Sequence, residues 1–240
     1  DMPSRFAVIP RRGDTSQIRW FEADPTYVLH FPNAYEDGDE IVLDGFFQGD
    51  PQPAEGFDNG MSRKWQQVFR GLSLDGMQTR LHRWRFNLVT GQVREEQLSD
   101  SITEFGMINS GFAGRDYRYI YAATGKPGWF LFDGLVRHDL ETGTEVRFGF
   151  GDGVFGSETA MAPRPHVAAE DDGYLVTLTT DMGADASYCL VLDAARVGDG
   201  PVCKLQLPER ISSGTHSTWA PGSDLRRWRE TDSAAAAIGL

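Results

Sequence analysis

Apolar and polar positions in this chain alternate over short stretches that break at turn residues, with little of the 3.6-residue period of a helix. The pattern predicts strands at 15–21, 27–31, 40–47, 80–88, 92–99, 117–124, 130–140, 144–150, 174–181, 188–194 and 202–208. Turn signals separate them: EDGD at 36–39, TG at 90–91 and 142–143, DDG at 171–173 and GDG at 198–200. Two stretches, RWRFNLVTGQVREEQL and VRHDLETGTEVRFGF, follow one plan: a strand, an acidic or polar TG turn, and a returning strand. This loose repeat is the pattern of propeller blades and is also compatible with a sandwich. Helix is predicted only at 59–73 and in the alanine-rich tail, and 50–60 reads as a long loop. No polar linker divides the chain. It reads as a single all-β domain, or part of one, over 1–221, followed by a surface tail at 222–240.

Composition narrows the partners. The 240 residues include 27 Gly and 12 Pro, which favour turns over long helices, and can bury a substantial core. The 35 acidic residues outnumber 23 basic ones for a net charge of −12, which argues against nucleic acid and anionic lipid as partners of the surface as a whole. No run approaches 18 apolar residues, so no transmembrane span is expected. The start, DMPSRFAVIPRRG, lacks the layout of a signal peptide and an initiator Met. The expectation is a processed or truncated cytoplasmic chain, with peripheral membrane association as a variant for the complete protein. Cys189 and Cys203 form no disulfide framework or zinc ribbon and read as free, buried thiols.

Five histidines carry the candidate chemistry. His82, His138 and His166 read as structural imidazoles on or beside strands. His30 lies in YVLHFPNAYEDGDE, and His216 in the Gly, Ser and Thr segment ISSGTHSTWAP. Each is either a packed imidazole or one that holds something, and a separation of 186 positions is no metal-ligand spacing. Glu104 and Glu158 are flanked by small or apolar residues, so each carboxylate needs a partner. That partner is an arginine such as Arg115 or Arg118, a backbone group, or the outward N–H of a metal-bound histidine.

Four segments, HFPNAYEDGDEIVLDG, ITEFGMINSGFAGRDYRYIYA, FGSETAMAPRPHVAAEDDGYLVTLTTD and LPERISSGTHSTWAP, resemble in order the C-terminal half of the carotenoid cleavage oxygenases. The likeness runs from about Arg5 to Trp219. It implies a seven-bladed β-propeller holding a non-haem Fe(II) on four histidines, three of them hydrogen-bonded to glutamates. Residue by residue, it implies His30 and His216 as the third and fourth ligands, with Glu104 and Glu158 orienting ligands. The first two histidines and one glutamate belong to an N-terminal half that nothing here resembles. The resemblance implies cleavage of a C=C bond in a carotenoid, apocarotenoid or stilbene by O2, giving two carbonyl products. Retinoid-type isomerohydrolysis, or a catalytically inactive propeller acting as a binding or scaffold module, are the alternatives. Beside the two histidines, Phe31, Tyr35, Phe105, Phe112 and Trp219 are candidates for an apolar substrate tunnel or for propeller core. A chain with two of four ligands is expected to be inactive alone and to need the missing half as its partner.

Overall fold

The computed structural model describes residues 2–49, 78–125, 131–166, 169–212 and 214–228. Among them are thirteen strands. A hairpin of β1 (Ser4–Val8) and β2 (Arg19–Ala23) stands apart as a two-stranded sheet. The first unit contains β3 (Asn33–Asp37), β4 (Glu40–Gln48), β5 (Thr79–Asn87) and the leading part of β6 (Val93–Met107). Beyond a register break, the trailing part of β6 pairs with β7 (Tyr119–Gly125), which continues through β8 (Phe132–Asp139) to β9 (Thr144–Gly149). The last unit is β10 (Val154–Pro163), β11 (Gly173–Asp181), β12 (Ala186–Asp193) and β13 (Pro201–Gln206). These three antiparallel four-stranded units form one path because β6 serves two of them and a single pair, Gly156 with Phe132, joins β10 to β8. The described strands close no ring.

Alternation along each strand explains how the units stack. On β7, Ile120 and Ala122 enter one core and Tyr121 enters the next. On β8, Val136 and Leu135 divide the same way. On β4 and β5, Val42, Phe46 and Leu81 face the first core, while Leu43, Phe47, Trp84 and Phe86 face the β1–β2 hairpin. Strands covered on both faces read as nearly continuous apolar runs, which is why EIVLDGFF shows only broken alternation. In the third unit burial falls from first strand to last: β10 is buried over most of its length and β13 is largely exposed.

The repeated TG turns share one mechanism. Asn87 Oδ1 accepts the amides of Val89 and Thr90 at 3.0 and 2.8 Å, and Asp139 Oδ1 accepts those of Glu141 and Thr142 at 3.1 and 3.3 Å. Gly91 and Gly143 then take φ of 76° and 68°, a region open to glycine at little cost.

Several elements differ from expectation. Thr15–Gln17 is a 3-10 turn capped by Asp14, so β2 begins only at Arg19. The segment 27–31 is no strand, apart from a bridge between Tyr27 and Gln48. Pro25 and Pro32 flank it, removing ladder donors, and the chain crosses over Gly45 instead. Strands β1, β3 and β10 and the trailing part of β6 were not predicted. The cysteines are free and half-buried. Residues 222–228 are helical and exposed. The predicted helix at 59–73, the whole of the loop at 50–60 and the tail beyond 228 lie outside the described residues.

Candidate metal centre

Neither glutamate's setting is regular strand. The ladder between β6 and β7 shifts register between Glu104 and Met107, and that between β10 and β11 shifts between Gly156 and Thr159. Bulges of this kind re-aim a side chain out of strict alternation. Both carboxylates are buried, and each lies against a histidine delivered by another segment.

His30 arrives on the crossing segment. Its carbonyl accepts the Phe46 amide at 3.3 Å, and Thr26 Oγ1 exchanges hydrogen bonds of 3.1 Å with the Gln48 backbone. Gly45 is required there, because a Cβ would sit 2.7 Å from the Phe31 ring. His30 Nδ1 ends 2.5 Å from Glu104 Oε2. That hydrogen bond holds the imidazole above its ordinary pKa, against the opposing effect of burial.

His216 comes from the segment after β13, which returns along the third unit. Leu207 donates its amide to Ser187 O at 2.8 Å, and Ile211 donates its own to Ser187 Oγ at 3.0 Å. Ser217 then docks on the second bulge: its amide donates to Glu158 Oε2 and its hydroxyl to the Glu158 carbonyl. His216 Nδ1 stands 3.5 Å from the same carboxylate oxygen. The two imidazoles meet edge to face with centroids 5.3 Å apart. Phe105 touches both, at 4.5 Å from His30 and 5.9 Å from His216.

Each ring therefore turns Nδ1 to a glutamate, and among the described residues neither Nε2 has a hydrogen-bond partner. Neutral imidazole nitrogens presented this way suit a transition metal. The pair is incomplete as a site: the described residues hold no group of three or more His, Cys, Asp or Glu able to take a metal ion.

Arg115 and Arg118 do not serve the glutamates. Arg115 donates to the Gly111 carbonyl, and Arg118 forms a two-point pair with Asp139 at 2.8 and 2.7 Å. His82 and His138 are buried and lie 3.4 and 3.3 Å from Glu95 and Glu145, away from the centre. Phe31 and Trp219 are half-exposed beside the two histidine segments. Tyr35 and Phe112 pack in the first core cluster. Sequence reasoning missed Ser217 and the two bulges; the run of small residues in GSETA was the available signal for the second.

The family described as retinal pigment epithelial membrane protein matches residues 1–221. The chain belongs to that family. Its members include iron-dependent dioxygenases that cleave C=C bonds of carotenoids, apocarotenoids and stilbenes. A carotenoid 9,10(9',10')-cleavage dioxygenase of Crocus sativus is 33% identical over 244 residues, covering 95% of this chain and 43% of that protein. The apocarotenoid oxygenase of Synechocystis, in a mutant and in a cobalt-substituted form, superposes with a TM-score of 0.78 at 27% identity. That match covers 92% of this chain and 44% of the oxygenase. A lignostilbene dioxygenase of Pseudomonas brassicacearum superposes at 0.77 with 26% identity, over 92% of this chain and 48% of the other. The chain thus spans about half the length of its relatives, and its β-rich fold matches about half of these propeller-forming proteins.

Proposed function

We propose that this chain is the C-terminal part of a non-haem iron(II) dioxygenase that cleaves a C=C double bond of a carotenoid, apocarotenoid or stilbene. The observation that carries the reading is the pair of imidazoles 5.3 Å apart, each backed by a buried glutamate. His30 and His216 are two of four histidine ligands, and the other two come from an N-terminal half that completes a seven-bladed propeller. Iron(II) held by four neutral imidazoles supplies open positions and redox capacity for O2, whose two atoms end in the two carbonyl products without an external reductant. Glu104 and Glu158 keep the Nδ1 protons in place, so the Nε2 lone pairs face the metal. Phe31, Phe105 and Trp219 offer apolar surface to hold a polyene or stilbene beside it.

Among the described residues no helix is long and apolar enough to cross a membrane. We place the complete protein in the cytoplasm, touching membranes at most peripherally to collect an apolar substrate. The cleavage and oxygenase names of the relatives weigh for cleavage over isomerohydrolysis or an inert scaffold. The test is the full-length protein, loaded with Fe(II) and given an apocarotenoid and a lignostilbene under labelled O2. Two labelled carbonyl products from one of them are expected. Stoichiometric iron with no cleavage of either would overturn the reading.

A further inference from the structure

Phe105 is a buried aromatic residue with φ of 53°, in the left-handed region that L residues with bulky side chains avoid. Holding such a residue there is strained, and glycine or asparagine would occupy it more cheaply. The conformation follows from the bulge that begins at Glu104. In an unbroken strand, residues 104 and 105 point to opposite faces, and only one of them can reach a given ring. Here both reach His30: the Glu104 carboxylate at the ring edge and the Phe105 ring against its face, tilted by 34°.

Two further contacts tie these parts together. The Phe105 amide donates to Glu104 Oε2 at 2.5 Å, the same oxygen that faces His30 Nδ1. The next residue, Gly106, lies where a Cβ would come within 2.8 Å of Phe46 and Pro32, so the bulge is pressed against the segment that carries His30. The Phe105 ring is braced from behind by Phe132, edge-on at 5.2 Å. The second bulge has no such aromatic, since Thr159 follows Glu158 and Phe105 reaches both imidazoles.

We propose that Phe105 is a positioning residue: its strained backbone aims the Glu104 carboxylate at His30 Nδ1, and its ring fixes the plane of that imidazole beside His216. The metal-affinity part of this inference rests on His30 being an iron ligand; the imidazole part does not. The experiment uses the full-length protein with isotopically labelled histidine, metal-free for ring spectroscopy and then titrated with Co(II). In the wild type, His30 shows one tautomer with a slowly exchanging Nδ1 proton. Phe105→Leu keeps apolar bulk and Phe105→Gly relieves the backbone; in both, exchange of that proton rises about 10-fold and Co(II) affinity falls about 10-fold. Phe105→Tyr keeps the ring and restores both. An unchanged His30 proton in the Leu and Gly variants, with only the KM for substrate altered, would reduce Phe105 to a wall of the substrate tunnel and overturn the proposal. Wild-type protein that binds no Co(II) would sink the metal reading, while the metal-free spectrum still decides the role of Phe105.

Discussion

The two histidines do not stand alike. His30 Nδ1 is 2.5 Å from its glutamate and the side chain is mostly buried, whereas His216 Nδ1 is 3.5 Å from Glu158 and its side chain is 68% exposed. Glu158 is also engaged by the Ser217 amide. Removing either imidazole takes away a side-chain donor and leaves the buried carboxylate to a backbone amide, that of Phe105 for Glu104 and that of Ser217 for Glu158. His30→Ala and His216→Ala in the full-length protein are expected to purify with well under one iron per chain by elemental analysis. Full iron content in either would remove that residue from the ligand set. Glutamine keeps shape but weakens a charge-assisted hydrogen bond. Activity should therefore fall about 10–100-fold in Glu104→Gln, with the circular dichroism spectrum unchanged, and less in Glu158→Gln, whose histidine is held more loosely. Equal losses in steady-state kinetics would contradict this ranking.

Within the elements, the β8–β9 turn shows how a local device carries pH dependence. Asp139 accepts two turn amides and the Arg118 guanidinium, and the Arg118 hydrogen bonds, outweighing burial, lower its pKa from 3.8 to about 2. A carboxyl with a depressed folded pKa adds stability above its unfolded value, and that contribution is lost as pH falls from about 4 through about 2. Asp139→Asn should be less stable than wild type at pH 7, and the gap should narrow toward pH 2. Denaturant titrations at pH 7, 4 and 2 check this; a constant gap would show that the ion pair contributes nothing. Glu145 on β9 links units in the same spirit. It lies 3.3 Å from His138 Nδ1 and accepts hydrogen bonds from Ser99 and Ser101 on β6, and these contacts, led by His138, hold its pKa low.

Across the molecule, each unit covers its neighbour, and the third unit shows what happens where the stack stops. Leu175, Leu190 and Leu192 are buried toward the second unit. The register places Val176 beside Val191 and Leu178 beside Cys189 on the opposite face, with Cys203 and Leu205 continuing it on β13. Leu178 and Leu205 are exposed there, and β3 and β13 end the sheet path with no further strand paired to them among the described residues. Open edges and apolar faces invite pairing with other chains. Expressed alone, Asp1–Leu240 is expected to self-associate and to show no cleavage activity. Size-exclusion chromatography with light scattering and an Fe(II)-supplemented assay test both; a soluble monomer with turnover would defeat the half-enzyme reading.

Local chemistry was legible in the chain itself. The TG turns follow from an Asn or Asp four residues before a glycine, and β4, β5, β7, β8, β11 and β12 follow from apolar runs rich in aromatic and β-branched residues. The resemblance named His30, His216, Glu104 and Glu158, but no spacing rule could. What only the tertiary structure decided is how these four meet. β10 was invisible because its inner position demands small residues, and Gly156, Ser157, Ala160 and Ala162 carry little strand signal. The bulges at Glu104 and Glu158 violate the two-residue period from which strand faces are read. The approach of His30 to His216 depends on three stacked units between them. Turns and strand faces are set by neighbours a few residues apart, whereas a site on the inner strands is the product of long-range packing.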